Sequence, residues 1–391
     1  MSAQIQRRAL IVAGEASGDL HGANMIRAAK DIDPNLSFYG VGGPRMKQAG
    51  CDILLPAEEL EVMGLVDVVG HLPVLWRAFK SLKKILYSPQ RPDVLVLIDF
   101  QEFNLLLARQ AKKAGVPVVF YVGPTVWAWR RGRVKRYARA VDRLAVIFPF
   151  EPAYYADEDI EVEYVGHPLL DEAVGTRQRD DYLQELGLDS SRPVVGIFPG
   201  SRNSELKYNL TTMLEAAERV ALQLPGVQFL LPVAPCFDLE TMRHRIQSCM
   251  LPILLVRESI YDVANACDAV LTVSGTVTLQ IALVGTPMAI LYKTAPLNYA
   301  IAKRVVNLTH IGLPNIVAGR EVVREFIQHQ ASAELLADEI VRILTDAEYQ
   351  GSLRRGLAQV RQHMGDAGCS QRVAQMVSEL SRRRLAQEGI E

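Results

Sequence analysis

The sequence predicts an α/β fold built twice, as two nucleotide-binding-type halves with parallel sheets that face a central cleft. Short apolar runs alternate with amphipathic stretches along almost all of the 391 residues. That is the pattern of parallel strands buried on both faces with helices between them. A strand also runs twice into a small-residue loop: Arg8 to Val12 leads into Ala13-Gly14-Glu15-Ala16-Ser17-Gly18-Asp19, and Val194 to Phe198 leads into Pro199-Gly200-Ser201-Arg202. A glycine turn after an apolar strand lets backbone amides approach an anion, and the next helix aims its positive dipole end at the same spot. The length exceeds what one hydrophobic core usually supports, so two domains are expected.

In the first half, strands are expected at Arg8 to Val12, Ser37 to Val41, Asp93 to Ile98, Val116 to Tyr121, Leu144 to Ile147 and Glu163 to Val165. In the second they are expected at Val194 to Phe198, Gln228 to Pro232, Ile253 to Val256, Ala269 to Val273 and Met288 to Tyr292. Proline disfavours helix in the residue before it, so the boundary is placed at Gly166-His167-Pro168, ahead of the polar stretch Gly175 to Asp181. The expected domains are 1–168, 169–365 and a helical segment 366–391 that packs on the N-terminal domain or on a partner subunit. From Ser332 onward the pattern is helical throughout.

Apolar residues make up 49% and charged residues 22%, the balance of a well-cored globular protein. A formal charge of -1 excludes the broad positive field of a general nucleic-acid binder, so anion recognition must be local. The five cysteines are scattered and include no CxxC pair, which points to a reducing compartment without disulfides or zinc. No apolar run approaches the ~20 residues needed to cross a bilayer, and the polar start with Arg7-Arg8 lacks a signal-peptide layout. No metal and no cofactor are expected: Asp31-Ile32-Asp33 reads as a helix end before Pro34, and the histidines have no partner at ligand spacing.

The first loop is not a dinucleotide fingerprint, because Gly14 and Gly18 have the wrong spacing for GxGxxG and no ribose-binding acid follows the second strand. The two glycines fit tight strand-to-helix packing as well as a ligand role. Glu15, Ser17 and Asp19 point to a ligand, since the mouth of a parallel sheet is where open α/β folds bind one. Asp99 follows the apolar run Val94 to Ile98; it is either the N-cap of a helix beginning near Phe103 or a general base, with Glu102 as its neighbour and competitor. Gly200-Ser201-Arg202 offers backbone amides, a hydroxyl and a guanidinium for a diphosphate, and Ser274-Gly275-Thr276 offers a second amide-rich turn. His167 beside Pro168 reads as a hinge or interdomain contact.

Two stretches read as surfaces. Arg130 to Arg139 is basic without an acid, and Met63 to Leu86 mixes Val66, Leu72, Leu75, Trp76 and Phe79 with Arg77, Lys80, Lys83 and Lys84. The second has the composition of an interfacial amphipathic segment, and equally of a core helix.

Taken together these residues resemble the lipid-A-disaccharide synthase family, inverting glycosyltransferases with two Rossmann-like domains in the B-type (GT-B) arrangement. The resemblance spans essentially the whole chain. It rests on Val12 to Asp19, Val41-Gly42-Gly43-Pro44-Arg45-Met46, Val62-Met63-Gly64, Tyr121 to Arg130, Gly166-His167-Pro168, Pro199 to Arg202, Ser274-Gly275-Thr276, Leu313-Pro314-Asn315 and Ala318 to Glu321. It implies transfer of 2,3-diacylglucosamine from UDP to the 6-hydroxyl of 2,3-diacylglucosamine 1-phosphate. It further implies Asp99 as candidate base, Arg202 on phosphate, and Asn315, Glu15 and Ser17 lining the cleft. A cytoplasmic protein held peripherally at the inner leaflet, and a homodimer with exchanged C-terminal segments, are implied as well. Two positions depart from the pattern: Glu102 stands where an Asp is expected, and Gln280 where GT-B enzymes commonly place a ribose-binding Glu. Other readings of the same residues are another GT-B sugar-nucleotide enzyme, such as an N-acetylglucosaminyl transferase or a UDP-sugar epimerase, and a silent nucleotide-sugar-binding membrane scaffold.

Overall fold

A computed structural model of the chain describes residues 6–60, 68–128, 131–172, 177–305 and 308–387. The chain divides into two compact units, one of Met1–Asp171 with Asp366–Glu391 and one of Glu172–Gly365.

Unit 1 carries strands β1 (Arg7–Ala13), β2 (Leu36–Gly42), β3 (Asp52–Pro56), β4 (Val94–Ile98), β5 (Val118–Tyr121), β6 (Arg143–Val146) and β7 (Glu161–Tyr164). They form one parallel sheet in the order β3-β2-β1-β4-β5-β6-β7. Its helices are α1 (Ala16–Ile32), α2 (Pro44–Gln48), α3 (Val68–Leu86), α4 (Gln101–Lys113), α5 (Val134–Ala138) and α6 (Pro168–Glu172), the last running to the unit boundary. Every residue of β4 is fully buried, which is why it reads as an unbroken apolar run. β3 escaped the sequence reading because it is an edge strand with alternate residues exposed. The chain reverses its direction of sheet growth between β1 and β4, and such a switch point opens a crevice beyond the strand ends.

Unit 2 repeats the plan with β8 (Val194–Phe198), β9 (Gln228–Pro232), β10 (Ile253–Val256), β11 (Ala269–Val273), β12 (Met288–Tyr292) and β13 (Glu325–Ile327), ordered β10-β9-β8-β11-β12-β13. β8 to β12 match the sequence expectation residue for residue; β13, only three residues long, was missed. The helices are α7 (Arg179–Glu185), α8 (Asn203–Gln223), α9 (Leu239–Ile246), α10 (Ile260–Ala266), α11 (Thr276–Val284), α12 (Pro296–Val305), α13 (Leu313–Ala318), α14 (Ala333–Thr345) and α15 (Ala347–His363). The switch point here lies between β8 and β11.

The final helix, α16 (Cys369–Gln387), belongs to unit 1. Val373, Ala374, Met376, Val377 and Leu380 join the core that β1, β4 and α1 share. Asp171 begins the helix by accepting the amides of Gly368 (2.6 Å), Cys369 (3.3 Å) and Ser370 (3.2 Å). Farther along, both Asp33 carboxylate oxygens accept from Arg7 Nη2 at 2.6 Å, and Asp33 also accepts from the Ser378 hydroxyl and from Arg382 at 3.0 Å, while Arg7 Nη1 donates to the Ser378 carbonyl (3.3 Å) and the Ser381 hydroxyl (2.9 Å). Burial pushes the Asp33 carboxyl up, but the bonds from Ser378 and Arg7 and the charges of Arg7 and Arg382 outweigh it and hold the group below the usual carboxylate range.

Candidate functional site

At the unit 1 switch point the loops after β1 and β4 lie side by side, because Ala13 pairs with Ile98 in register. Asp99 does not cap α4. The N-cap is Phe100, and both residues sit in the left-handed region, with φ of 48° and 44°. Non-glycine residues held there store local strain and persist only where the surroundings enforce it. Asn104 supplies that enforcement: its buried amide donates to the carbonyls of Ile98 (3.2 Å) and Asp99 (2.8 Å). The Asp99 carboxylate accepts from Gln101 Nε2 at 3.3 Å. Burial raises its pKa, and the bonds from Gln101 and the Phe100 amide only partly offset this. Glu102 is engaged differently, by Arg133 and, at 3.7 Å, by Arg136.

Glu15 is the N-cap residue of α1, and Glu15 and Ser17 are exposed at the same sheet edge. The two glycines of this loop serve packing. A Cβ on Gly14 would lie 2.6 Å from the Phe100 ring, and one on Gly18 would lie 3.2 Å from Ala13 Cβ. Asp19 corrects the sequence reading: it is buried, and its carboxylate accepts the amides of Gly43 (2.8 Å), Arg45 (3.1 Å) and Met46 (3.0 Å), fastening the start of α2. His167 packs on Phe148, and burial together with the charge of His21 lowers its pKa to about 3, so its Nδ1 stays a neutral acceptor for the Leu169 amide.

At the unit 2 switch point a cavity of about 360 Å³ brings together Gly200, Ser201 and Arg202 with Ser274, Gly275, Thr276 and Gln280. Phe198, Pro232, Ile260 and Val277 supply apolar wall. Here too one expectation changes. The amides of Ser201 and Arg202 are not open to a diphosphate; both donate to Glu205 Oε2, at 2.8 and 3.1 Å. Glu205 is the third residue of α8, and an acid at that position reaches back to the N-cap amide, the carboxylate half of a capping box. That spacing was visible in the sequence. Gly200, at φ +98°, is required because a Cβ would sit 2.2 Å from the same carboxylate oxygen.

What remains open to an anion is the Arg202 guanidinium, 79% exposed and 3.4 Å from Glu205, the Ser201 hydroxyl, and the first turn of α11, which no side chain caps. Ser274 gives its proton to the Ile311 carbonyl at 2.8 Å, so its hydroxyl secures the neighbouring loop. Gln280 hydrogen-bonds Tyr261. Asn315 is corrected outright. It is fully buried, its amide donates to the Val323 carbonyl (2.8 Å) and Glu325 (2.7 Å), and its oxygen accepts from the Val322 (2.7 Å) and Val323 (3.0 Å) amides. It braces the wall and presents nothing to a ligand.

The two surface stretches also resolve. Residues 61–67 and 129–130 lie outside the described residues. Within α3, Ala78, Leu82 and Leu86 are buried, whereas Leu72 and Trp76 are 54% and 57% exposed, so the helix is both a core helix and an apolar surface. Beside it a groove of about 420 Å³ is lined by Phe79, Leu106, Arg109, Lys112, Lys113 and Arg139. Arg133, counted with the basic run, is turned onto Glu102 instead. Among the described residues no helix is long and apolar enough to cross a membrane, and no cluster of His, Cys, Asp or Glu is arranged to hold a metal.

Two Rossmann-like units, each with its polar loops at the switch point, define a protein of the GT-B class. Solved structures agree on the fold: a putative UDP-N-acetylglucosamine 2-epimerase from Listeria monocytogenes superposes with a TM-score of 0.63 at 13% identity, covering 94% of this chain and 95% of its own. The calicheamicin glycosyltransferase CalG4 gives 0.58 at 14% identity, covering 97% and 99%. The family is set by sequence, for the lipid-A-disaccharide synthetase family model matches residues 9–377. The lipid-A-disaccharide synthase of Syntrophotalea carbinolica is 63% identical over 96% of both chains, and that of Geobacter sulfurreducens 47% identical over 97% and 99%. The chain belongs to the lipid-A-disaccharide synthase family.

Proposed function

We infer that this chain is a hexosyltransferase that forms the lipid A disaccharide, moving 2,3-diacylglucosamine from UDP onto the 6-hydroxyl of 2,3-diacylglucosamine 1-phosphate. The observation that carries the reading is membership of this family over residues 9–377 together with one polar switch point per unit. An epimerase shares only the fold, at 13% identity. The α-linked donor and β-1,6 product require inversion, hence a single in-line displacement with a base at the acceptor hydroxyl. Asp99 suits that role: burial raises its proton affinity above that of an ordinary carboxylate, and a general base contributes ~10²- to 10⁴-fold. Glu102 is bound by arginines, and Glu15, on the exposed edge, is left to orient substrate. Arg202, Ser201 and the uncapped start of α11 hold the diphosphate and stabilise charge on departing UDP. Gln280 takes a ribose hydroxyl through its amide.

The test is disaccharide formation in detergent micelles with a chelator present, comparing wild type, Asp99→Asn and Arg202→Ala. Turnover in the wild type with large losses in both variants supports the assignments. Absence of product from a folded, UDP-binding protein would sink them.

Substrates carrying several acyl chains stay in a bilayer, since each buried methylene contributes roughly 0.8 kcal/mol. The partner surface in this reading is therefore the inner leaflet, met by Leu72 and Trp76 of α3, with Lys80 over the Trp76 ring at 5.3 Å and the cationic groove alongside. Replacing Leu72 and Trp76 by Ser should abolish co-sedimentation with vesicles containing anionic lipid; unchanged binding would refute the surface. A homodimer exchanging α16 would make the Asp33 and Asp171 contacts in trans, and light scattering on the eluting protein decides between one chain and two.

A further inference from the structure

We propose that Gln101 is a positioning residue for the Asp99 base, holding one carboxylate oxygen so that the other is presented to the acceptor hydroxyl, while Tyr137 fixes the direction of the Gln101 amide. The proposal rests on the assignment of Asp99 as the base.

Three contacts agree on a single orientation of this amide. Gln101 Nε2 lies 3.3 Å from Asp99 Oδ1 and 3.5 Å from the Gly123 carbonyl, both acceptors only. Its Oε1 lies 3.2 Å from the Tyr137 hydroxyl, which also reaches the Gln101 carbonyl at 3.3 Å. A flipped amide would set Oε1 against a carboxylate and a carbonyl and turn two donors toward the phenol, so the flip is strongly disfavoured. Burial holds the Tyr137 phenol far above its ordinary pKa, and it remains a donor at any working pH. Tyr137 is itself fixed, fully buried with its ring 5.1 Å from that of Phe120.

The backbone is fastened separately. Asn104 ties the strained turn through the Ile98 and Asp99 carbonyls, and the Asp99 amide donates to the Tyr121 carbonyl at 3.0 Å. Main chain and side chain of the base are thus held by different residues, and a general base acts only from within hydrogen-bond reach of its proton. The charged groups around this cluster, besides Asp99, are Glu102 of α4, with Arg133 at the start of α5 and Arg136 within it paired onto that carboxylate. Gln101 is the neutral group that touches the carboxylate, and its donated bond favours the ionised form.

The distinguishing measurement is the pH dependence of kcat/KM for disaccharide formation by the 391-residue chain in micelles. In Gln101→Leu the acid limb should move up by about one pH unit, because the ionised base loses a donor. In Gln101→Glu it should move farther, since a second carboxylate disfavours ionisation more than an alkyl group does. Tyr137→Phe should shift it in the same direction by less. Both Gln101 variants should lose kcat about 10-fold on the plateau with KM for the UDP-sugar unchanged. A merely structural role would follow side-chain shape and leave the limb in place, and an unmoved limb in Gln101→Glu would overturn the proposal. That variant is nearly isosteric, so it carries the test if Gln101→Leu does not fold. Retained activity in Asp99→Asn would overturn the base assignment and this proposal with it. An inactive Asp99→Asn beside an unmoved limb would overturn this proposal alone.

Discussion

Unit 1 and unit 2 wind their sheets alike, yet they hold their polar groups by opposite means. In unit 1 the carboxylate sits on non-glycine residues with φ of 48° and 44°, partly buried and fastened by Asn104 and Gln101. In unit 2 the turn after β8 uses a glycine at φ +98°, and its arginine is 79% exposed with one weak partner. If Asp99 is the base, as proposed, it must meet one proton at one distance, and these bonds fix its frame without the substrate. In the proposed reading a diphosphate brings its own charge to the exposed Arg202 guanidinium, which has no comparable frame. Closure differs as well: unit 2 is one continuous stretch, whereas unit 1 needs α16 from the far end of the chain.

The largest effect should come from breaking that closure. Asp33→Ala leaves the buried Arg7 charge without a carboxylate, with only the Ser378 carbonyl and Ser381 hydroxyl to bond, which costs roughly 3–5 kcal/mol, and it should lower the unfolding transition of unit 1 with little change in UDP affinity. The pH dependence follows from the sign of the shift. The folded-state pKa is depressed, so the stabilisation is complete above the ordinary carboxylate pKa and is lost as pH falls through the folded value. Wild type should therefore lose stability on acidification more steeply than Asp33→Ala, as thermal melts across an acid series would show.

Two glycine substitutions, one per unit, then sharpen the contrast. Gly14→Ala drives a methyl to 2.6 Å from the Phe100 ring and so displaces the turn that bears Asp99. Misplacement of about 1 Å at a base costs ~10²-fold, and kcat should fall by that order with the KM for donor preserved. Gly200→Ala meets the Glu205 carboxylate at 2.2 Å and also requires a φ that alanine resists, a strain of about 1–3 kcal/mol. Its cost should appear in UDP affinity, about 10-fold or more by calorimetry, with a smaller change in kcat. Equal effects on both parameters in both variants would erase the distinction between the units.

The sequence was most legible where strands are buried on both faces. β8, β9, β11 and β12 emerge intact as buried apolar runs between turns, and the edge strand β10 emerges too because its four residues are all apolar although three are only partly buried, while β3 hides behind alternating exposure and β13 behind its brevity. Residue types at the switch points were legible too, since Asp99 and Arg202 follow obvious strands. Which polar groups remain available was not, because availability depends on partners distant in sequence. Asp19 is consumed by amides near residue 45, and Asn315 by the chain around Val323 and Glu325. Gln101 went unnoticed because nothing local marks it; its partner Tyr137 lies 36 residues away. Glu205 is the exception, as its place three residues into a helix was a readable capping signal.

The smallest prediction concerns the ribose. If unit 2 binds its ligand chiefly through charge on the diphosphate, a neutral contact such as Gln280 should matter little. Gln280 lines the cavity on α11, opposite the α8 turn, and its amide also hydrogen-bonds Tyr261. One neutral hydrogen bond contributes about 0.5–1.5 kcal/mol, so Gln280→Leu should weaken UDP about 3- to 10-fold. The loss should vanish when UDP is replaced by its 2′,3′-dideoxy analogue, because the group that Gln280 addresses is then gone from the ligand. A loss that persists with the dideoxy ligand would mean that Gln280 acts through Tyr261 and the pocket wall, and the ribose contact would have to be sought on another residue.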